Sequence, residues 1–180
     1  MAAAWSAVGR TELGLGNVSA ATDADSLALK LRLRRFGPRH LDVAESYSQL
    51  GRDIKGVGGA RADAIDLFER ALRLRLELKG PDNEDVAQSM QDLANLYRLN
   101  RRGDEAIALL ERALDIRRRV LGGGSNEVAS TLTGLAFVYT TRADWVTAER
   151  LLREAVSIRR NLPRISRLQL SMSLNAWGQA

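Results

Sequence analysis

The sequence predicts an all-α fold, a solenoid built from antiparallel helix pairs. Three observations predict it. The segment ERALRLRLELKGPDNEDVA (69–87) returns 42 residues on as ERALDIRRRVLGGGSNEVA (111–129), and LALKLRLRRFGPRHLDVA (27–44) matches at a shift of 43. Within each copy, apolar and small residues recur at helical spacing in two successive stretches. The composition, rich in Ala, Leu, Arg and Glu with three prolines and 5% aromatics, favours helices over a sandwich of strands.

The elements follow in order. Unit 1–37 carries the spacing in degenerate form, with Trp5, Val8 and Gly9, then Gly16, Ala21 and Ala28, but fails at Glu12 and Asp25. Unit 38–80 restores it with Tyr47, Leu50, Gly51 and Ile54, then Ala64, Phe68 and Ala71. Its extra residue falls in KGVGG, which reads as a turn. In unit 81–122, Val86, Met90, Leu93, Ala94 and Tyr97 share one arc at about 100° per residue, with Gln88, Gln91, Asn95 and Arg98 opposite. Residues 104–121 give a second amphipathic helix with Ile107, Leu110, Leu114 and Val120. Ala94, Ala106 and Ala113 mark where the two helices approach closely. Gly80-Pro81 ends one helix, and Asp82 or Asn83 caps the next by accepting from its free N–H groups. Unit 123–163 repeats the pattern as Leu132, Leu135, Ala136, Tyr139, Ala148, Leu152 and Ala155. Leu174, Trp177 and Gly178 open a half unit over 164–180. No helix of a pair buries its stripe alone, so successive pairs must stack.

This spacing resembles the tetratricopeptide repeat, whose signature runs W-x2-L-G-x2-Y, then A-x3-F, then A. The period of 42 is longer than the usual repeat, and this long form is similar to the repeats of kinesin light chains and of many bacterial signalling proteins. Two departures stand out: the third connector, GGGSNEVA, lacks its proline, and Gly103 occupies the place of an expected aromatic. The resemblance implies one tetratricopeptide array over 1–180, wound as a right-handed superhelix, and a role in protein–protein interaction.

Chemistry by catalysis finds little support. There is no cysteine, so disulfides and thiolate metal sites are excluded. The one histidine, His40, sits in a connector at the place of Asn83 and Ser125, and reads as a cap. LGGGSN is not followed by Gly-Lys-Ser/Thr and is no phosphate loop. Glu69 and Glu111 are one position of two repeats, solvated on the second helix. We expect no enzyme, no cofactor and no metal. The apolar runs fall short of a bilayer span and MAAAWSAVGR lacks the form of a secretory signal, so no membrane association and a cytoplasmic location are expected.

The net charge of +5 directs attention to the arginines. Arg73, Arg75, Arg117, Arg118, Arg119, Arg159 and Arg160 crowd the last turns of the second helices. There they read as a solvated ridge opposing the helix dipole, worth about 0.3–1 kcal/mol each. Nucleic-acid binding through this ridge is disfavoured, because interleaved aromatics are missing. The tetratricopeptide resemblance places the first helix of each unit on a concave face. Onto it fall Arg10; Glu45, Ser48, Arg52 and Lys55; Gln88, Gln91, Asn95 and Arg98; Ser130, Thr133, Phe137 and Thr140; and Met172, Asn175 and Gln179. All but Glu45, Met172 and Gln179 are taken as candidate peptide-binding residues. Arg52 and Arg98 are expected in one concavity. Amides and cations of this kind suit an extended peptide with acidic residues. The Asn-Asn pair of the kinesin light chains is replaced by Gln91-Asp92 and Thr133-Gly134, so their ligand preference does not carry over. The function expected is a non-catalytic scaffold that binds a partner's peptide. The alternative is a structural or oligomerisation array that docks on itself or on a neighbouring domain, including self-association through the incomplete C-terminal unit.

Overall fold

The computed structural model describes residues 1–55 and 61–162. Eight helices and no strand occur among them: α1 (Ala2–Gly14), α2 (Val18–Phe36), α3 (Leu41–Ile54), α4 (Arg61–Lys79), α5 (Glu84–Leu99), α6 (Gly103–Leu121), α7 (Asn126–Thr141) and α8 (Trp145–Asn161). The fold is an all-α repeat array. Its helices divide between two compact units, Met1–Gly80 and Pro81–Ala180. Leu174, Trp177 and Gly178, on which the C-terminal half unit rests, lie outside the described residues, as does KGVGG apart from Lys55.

Local chemistry sets the helix ends. The connectors place His40, Asn83 and Ser125 at one register. The His40 Nδ1 accepts from the Asp42 N–H at 3.1 Å, the Asn83 Oδ1 from Asp85 at 2.9 Å, and the Ser125 Oγ from Val128 at 3.2 Å. His40 is thus a cap, and of the two cap candidates before α5 it is Asn83 that acts. Before each connector the chain turns through a left-handed residue, Gly37, Gly80 or Gly122 (φ 75°, 78° and 82°), which glycine alone adopts without steric cost.

In unit 1, α1 packs on α2, α2 on α3, and α3 on α4. Val43, Ala44, Ala64, Phe68 and Ala71 are buried at the α3–α4 contact. A Cβ at Gly51 would stand 2.6 Å from the Phe68 ring, so the glycine is what lets a phenylalanine fill this layer. Trp5 and Val8 were expected inside and are exposed, because α1 buries only Ser6 and Gly9.

Two core positions of unit 1 hold acids. Asp25 stands where later repeats have Phe68, Leu110 and Leu152, and Asp53 where they have Leu96 and Val138. Both aspartates are buried, and no N–H or hydroxyl among the described residues reaches either Asp25 oxygen or the Asp53 Oδ2. What faces each is the other carboxyl. Burial, then a hydrogen bond and repulsion from Asp25, push the Asp53 carboxyl up to about 7, against the pull of Gln49 and Arg52.

In unit 2, α5 pairs with α6 and α7 with α8, while α6 packs on α7 and α5 touches α7. Met90, Leu93, Ala94, Leu110 and Ala113 form one layer, and Leu132, Leu135, Ala136, Leu152 and Ala155 repeat it. Val120, expected on the buried stripe, is 46% exposed in the last turn of α6.

Candidate peptide-binding face

In unit 2 the polar arc of α5 carries Gln88 and Asn95 exposed, with Gln91 and Arg98 half-buried. On α7, Phe137 is exposed, and Ser130, Thr133 and Thr140 are half-buried. Asn95 and Phe137 occupy one register of the two helices. The Asn95 amide has no hydrogen bond among the described residues and is free to donate and accept. The Thr133 and Thr140 hydroxyls donate to the carbonyls of Ala129 and Phe137.

An arginine sets the orientation of this face from below. Arg117, expected on the solvated ridge, is 1% exposed. From α6 its guanidinium reaches between α5 and α7. It donates to the Glu84 carboxylate at 2.9 Å, to the Gln88 Oε1 and the Thr131 Oγ1 at 2.7 Å each, and to the Gln91 Oε1. With their oxygens held inward, Gln91 donates its amide to the Ser130 Oγ and Gln88 to Asp92.

The same register recurs in each unit. Arg32 donates to the Ser46 Oγ at 2.5 Å, and Arg75 to Ser48 at 2.8 Å and Glu45 at 2.6 Å. Arg159, buried, has its pKa lowered by desolvation and lies 3.4 Å from Asn126 and Thr133. These arginines join second helices to first helices. The correction therefore concerns Arg75, Arg117 and Arg159: a guanidinium long enough to cross the helix pair finds acceptors there, and the packing seals it in. Arg73, Arg118, Arg119 and Arg160 do remain exposed. Sequence reasoning missed the role of this position, although its signal was present. Arg32, Arg75, Arg117 and Arg159 keep one residue at one register while the next slot runs Leu33, Leu76, Arg118, Arg160.

In unit 1 the α3 face is more internally occupied. Ser48 is fully buried against Arg75 and so is not presented to solvent. Arg52 pairs with Glu45 at 2.8 Å and with Gln49 at 2.9 Å, which offsets much of its charge. Lys55 and, on α1, Arg10 are exposed. Met172, Asn175 and Gln179 lie outside the described residues.

No helix among the described residues is long and apolar enough to cross a membrane, and none of their acidic or histidine side chains group into a metal-binding set.

The tetratricopeptide repeat family model matches residues 93–161. That stretch is similar to the tetratricopeptide repeat. Solved structures extend the likeness to nearly the whole chain as a matter of fold. BtubC (BKLC) from P. vanneervenii is similar over 97% of this chain and 69% of its own, with a TM-score of 0.85 and 24% identity. A Podosopora anserina protein of nearly identical TPR-like repeats, named for kinesin light chain, is similar over 98% of this chain and 86% of its own. Its TM-score is 0.78 and its identity 22%. No curated protein matches the chain. The tetratricopeptide repeat is in general a protein–protein interaction scaffold, and here its repeating elements are the α5–α6 and α7–α8 pairs.

Proposed function

We propose that this chain is a non-catalytic interaction module that holds an extended, acidic peptide segment of a partner protein on the exposed faces of its first helices. The observation that supports this reading best is the α5–α7 face of unit 2. There a free amide (Asn95), an exposed ring (Phe137) and an uncompensated cation (Arg98) stand on two adjoining helices. An extended peptide needs partners of these three kinds: donors and acceptors for its backbone, an apolar contact, and a counter-charge for its acids. In unit 1, Lys55 and Arg10 are the exposed cations, and Arg52 contributes less because Glu45 already engages it. A cytoplasmic setting is part of the same proposal.

Fluorescence anisotropy with labelled peptides tests it. A Glu/Asp-rich peptide is expected to bind, and a Gln/Asn peptide of equal length to bind at least tenfold more weakly. Arg98→Glu should cost at least tenfold, about 1.4 kcal/mol. Arg118→Glu with Arg119→Glu should leave affinity within twofold. Equal binding of both peptides, or equal loss in the ridge variant, overturns the reading.

A further inference from the structure

Three features of the turn between α5 and α6 bear on one cleft. The first is a missing ring. The residue that opens the second helix is Gly103 in α6 and Trp145 in α8, one register apart by a repeat. A Cβ placed on Gly103 would meet nothing nearer than 3.7 Å, so packing does not require a glycine here. The absent side chain leaves a cleft of about 510 Å³, walled by Arg98, Arg101, Gly103, Asp104, Thr141 and Arg142.

The second is charge. Arg142 is paired with Asp104 at 2.5 Å. Arg98 and Arg101 make no ion pair among the described residues, and the Arg98 Nε is buried without a hydrogen bond. A buried guanidinium N–H facing no acceptor is a donor waiting for one.

The third is backbone. Arg101 is left-handed (φ 61°), as are its counterparts Gly16 (φ 83°) in the α1–α2 turn and Ala143 (φ 59°) in the α7–α8 turn. The turn itself demands this conformation, and at this register of the α5–α6 turn the residue that adopts it also carries a guanidinium. Beside it, α6 begins at the N-cap Arg102, which supplies no side-chain acceptor, whereas α8 is capped by Asp144 accepting from the Thr147 N–H. Asp104 and Glu105 in the first turn of α6 offset part of the positive end of its dipole, so the cleft's positive character rests on Arg98 and Arg101.

We propose that this cleft is an oxyanion site that seats a carboxylate of the bound peptide, fixing the peptide's register along α5 and α7. This rests on the acidic-peptide reading above. The Arg98 and Arg101 guanidiniums would donate to the carboxylate, with Gly103 leaving room for it and Arg101 closing over it.

The test uses citrate, a free tricarboxylate, and the Glu/Asp-rich peptide, each titrated into isotopically labelled full chain and followed by amide shifts. Citrate is expected to shift the amides of Arg101, Gly103 and Asp104. Gly103→Tyr, which refills the cleft, should weaken both citrate and peptide at least tenfold. Arg101→Gly should weaken both about fivefold or more while raising the melting temperature, a combination that a purely structural arginine would not give. Citrate shifts that centre on Arg118 and Arg119, or Gly103→Tyr binding as tightly as the parent, overturn the proposal. If the peptide binds but is indifferent to both substitutions, the oxyanion site fails and the interaction reading stands. If citrate binds the cleft and the peptide binds nowhere, the site stands and that reading fails.

Discussion

The Arg117 guanidinium, 1% exposed, meets the Glu84 carboxylate at 2.9 Å across the α5–α6 pair, and at its other end bonds Thr131 on α7. One side chain thus ties three helices of unit 2. Burying a charge is costly unless its donors are all engaged, and here Glu84, Gln88, Gln91 and Thr131 engage them. Arg117→Ala should therefore destabilise unit 2 by about 2–4 kcal/mol, less than for a fully buried pair because Glu84 retains access to water. Arg118→Ala, whose ion pair with Glu154 is exposed, should cost well under about 1 kcal/mol. Urea titrations of the two variants compare them directly; equal costs would show that Arg117 is not the tie.

The Asp25–Asp53 pair makes unit 1 sensitive to pH. The Asp53 pKa rises on folding from 3.8 to about 7, so between these values the folded state binds more protons than the unfolded. Stability is then full below about pH 4 and is lost as pH rises through 7, by up to about 1.4 kcal/mol per unit. This loss runs opposite to that of an ion-paired carboxylate. Asp53→Asn keeps a donor toward Asp25 without the titration. It should remove most of the slope and be more stable than the parent at pH 8, as measured by hydrogen exchange of α2 and α3 amides at several pH values.

Gly51 and Phe68 form a size-matched pair, as Ala94 and Leu110 do one repeat later. A Cβ on Gly51 falls 2.6 Å from the ring, so Gly51→Ala should cost about 1–3 kcal/mol by overpacking. Phe68→Leu in the same chain should recover much of that loss, since it recreates the pairing of the following repeat. A double-mutant cycle measures the coupling, and additive losses would place the clash elsewhere.

These pairs also indicate what could be read from the chain beforehand. Period, connector and apolar spacing are local signals, so the helix pairs, the capping role of His40 and the small-residue contacts at Ala94, Ala106 and Ala113 were legible. Asp25 was visible only as a failed match, because its approach to Asp53 depends on two helices meeting. Arg117 was misplaced for the same reason: position in the last turn suggests a dipole partner, and only the arrival of α7 converts it into a buried tie. On the candidate face, Ser48 and Gln91 have the right chemistry, but they serve Arg75 and Arg117 from within. Asn95, Arg98 and Phe137 are left outward.

The most direct test of the interaction role maps where an acidic peptide touches the chain. Amide shifts of the labelled protein, titrated with the Glu/Asp-rich peptide, should concentrate on α5 and α7 around Asn95, Arg98 and Phe137, and should vanish in Arg98→Glu. Shifts centred instead on Arg118, Arg119 and Arg160, or no shifts at saturating peptide, would contradict the account.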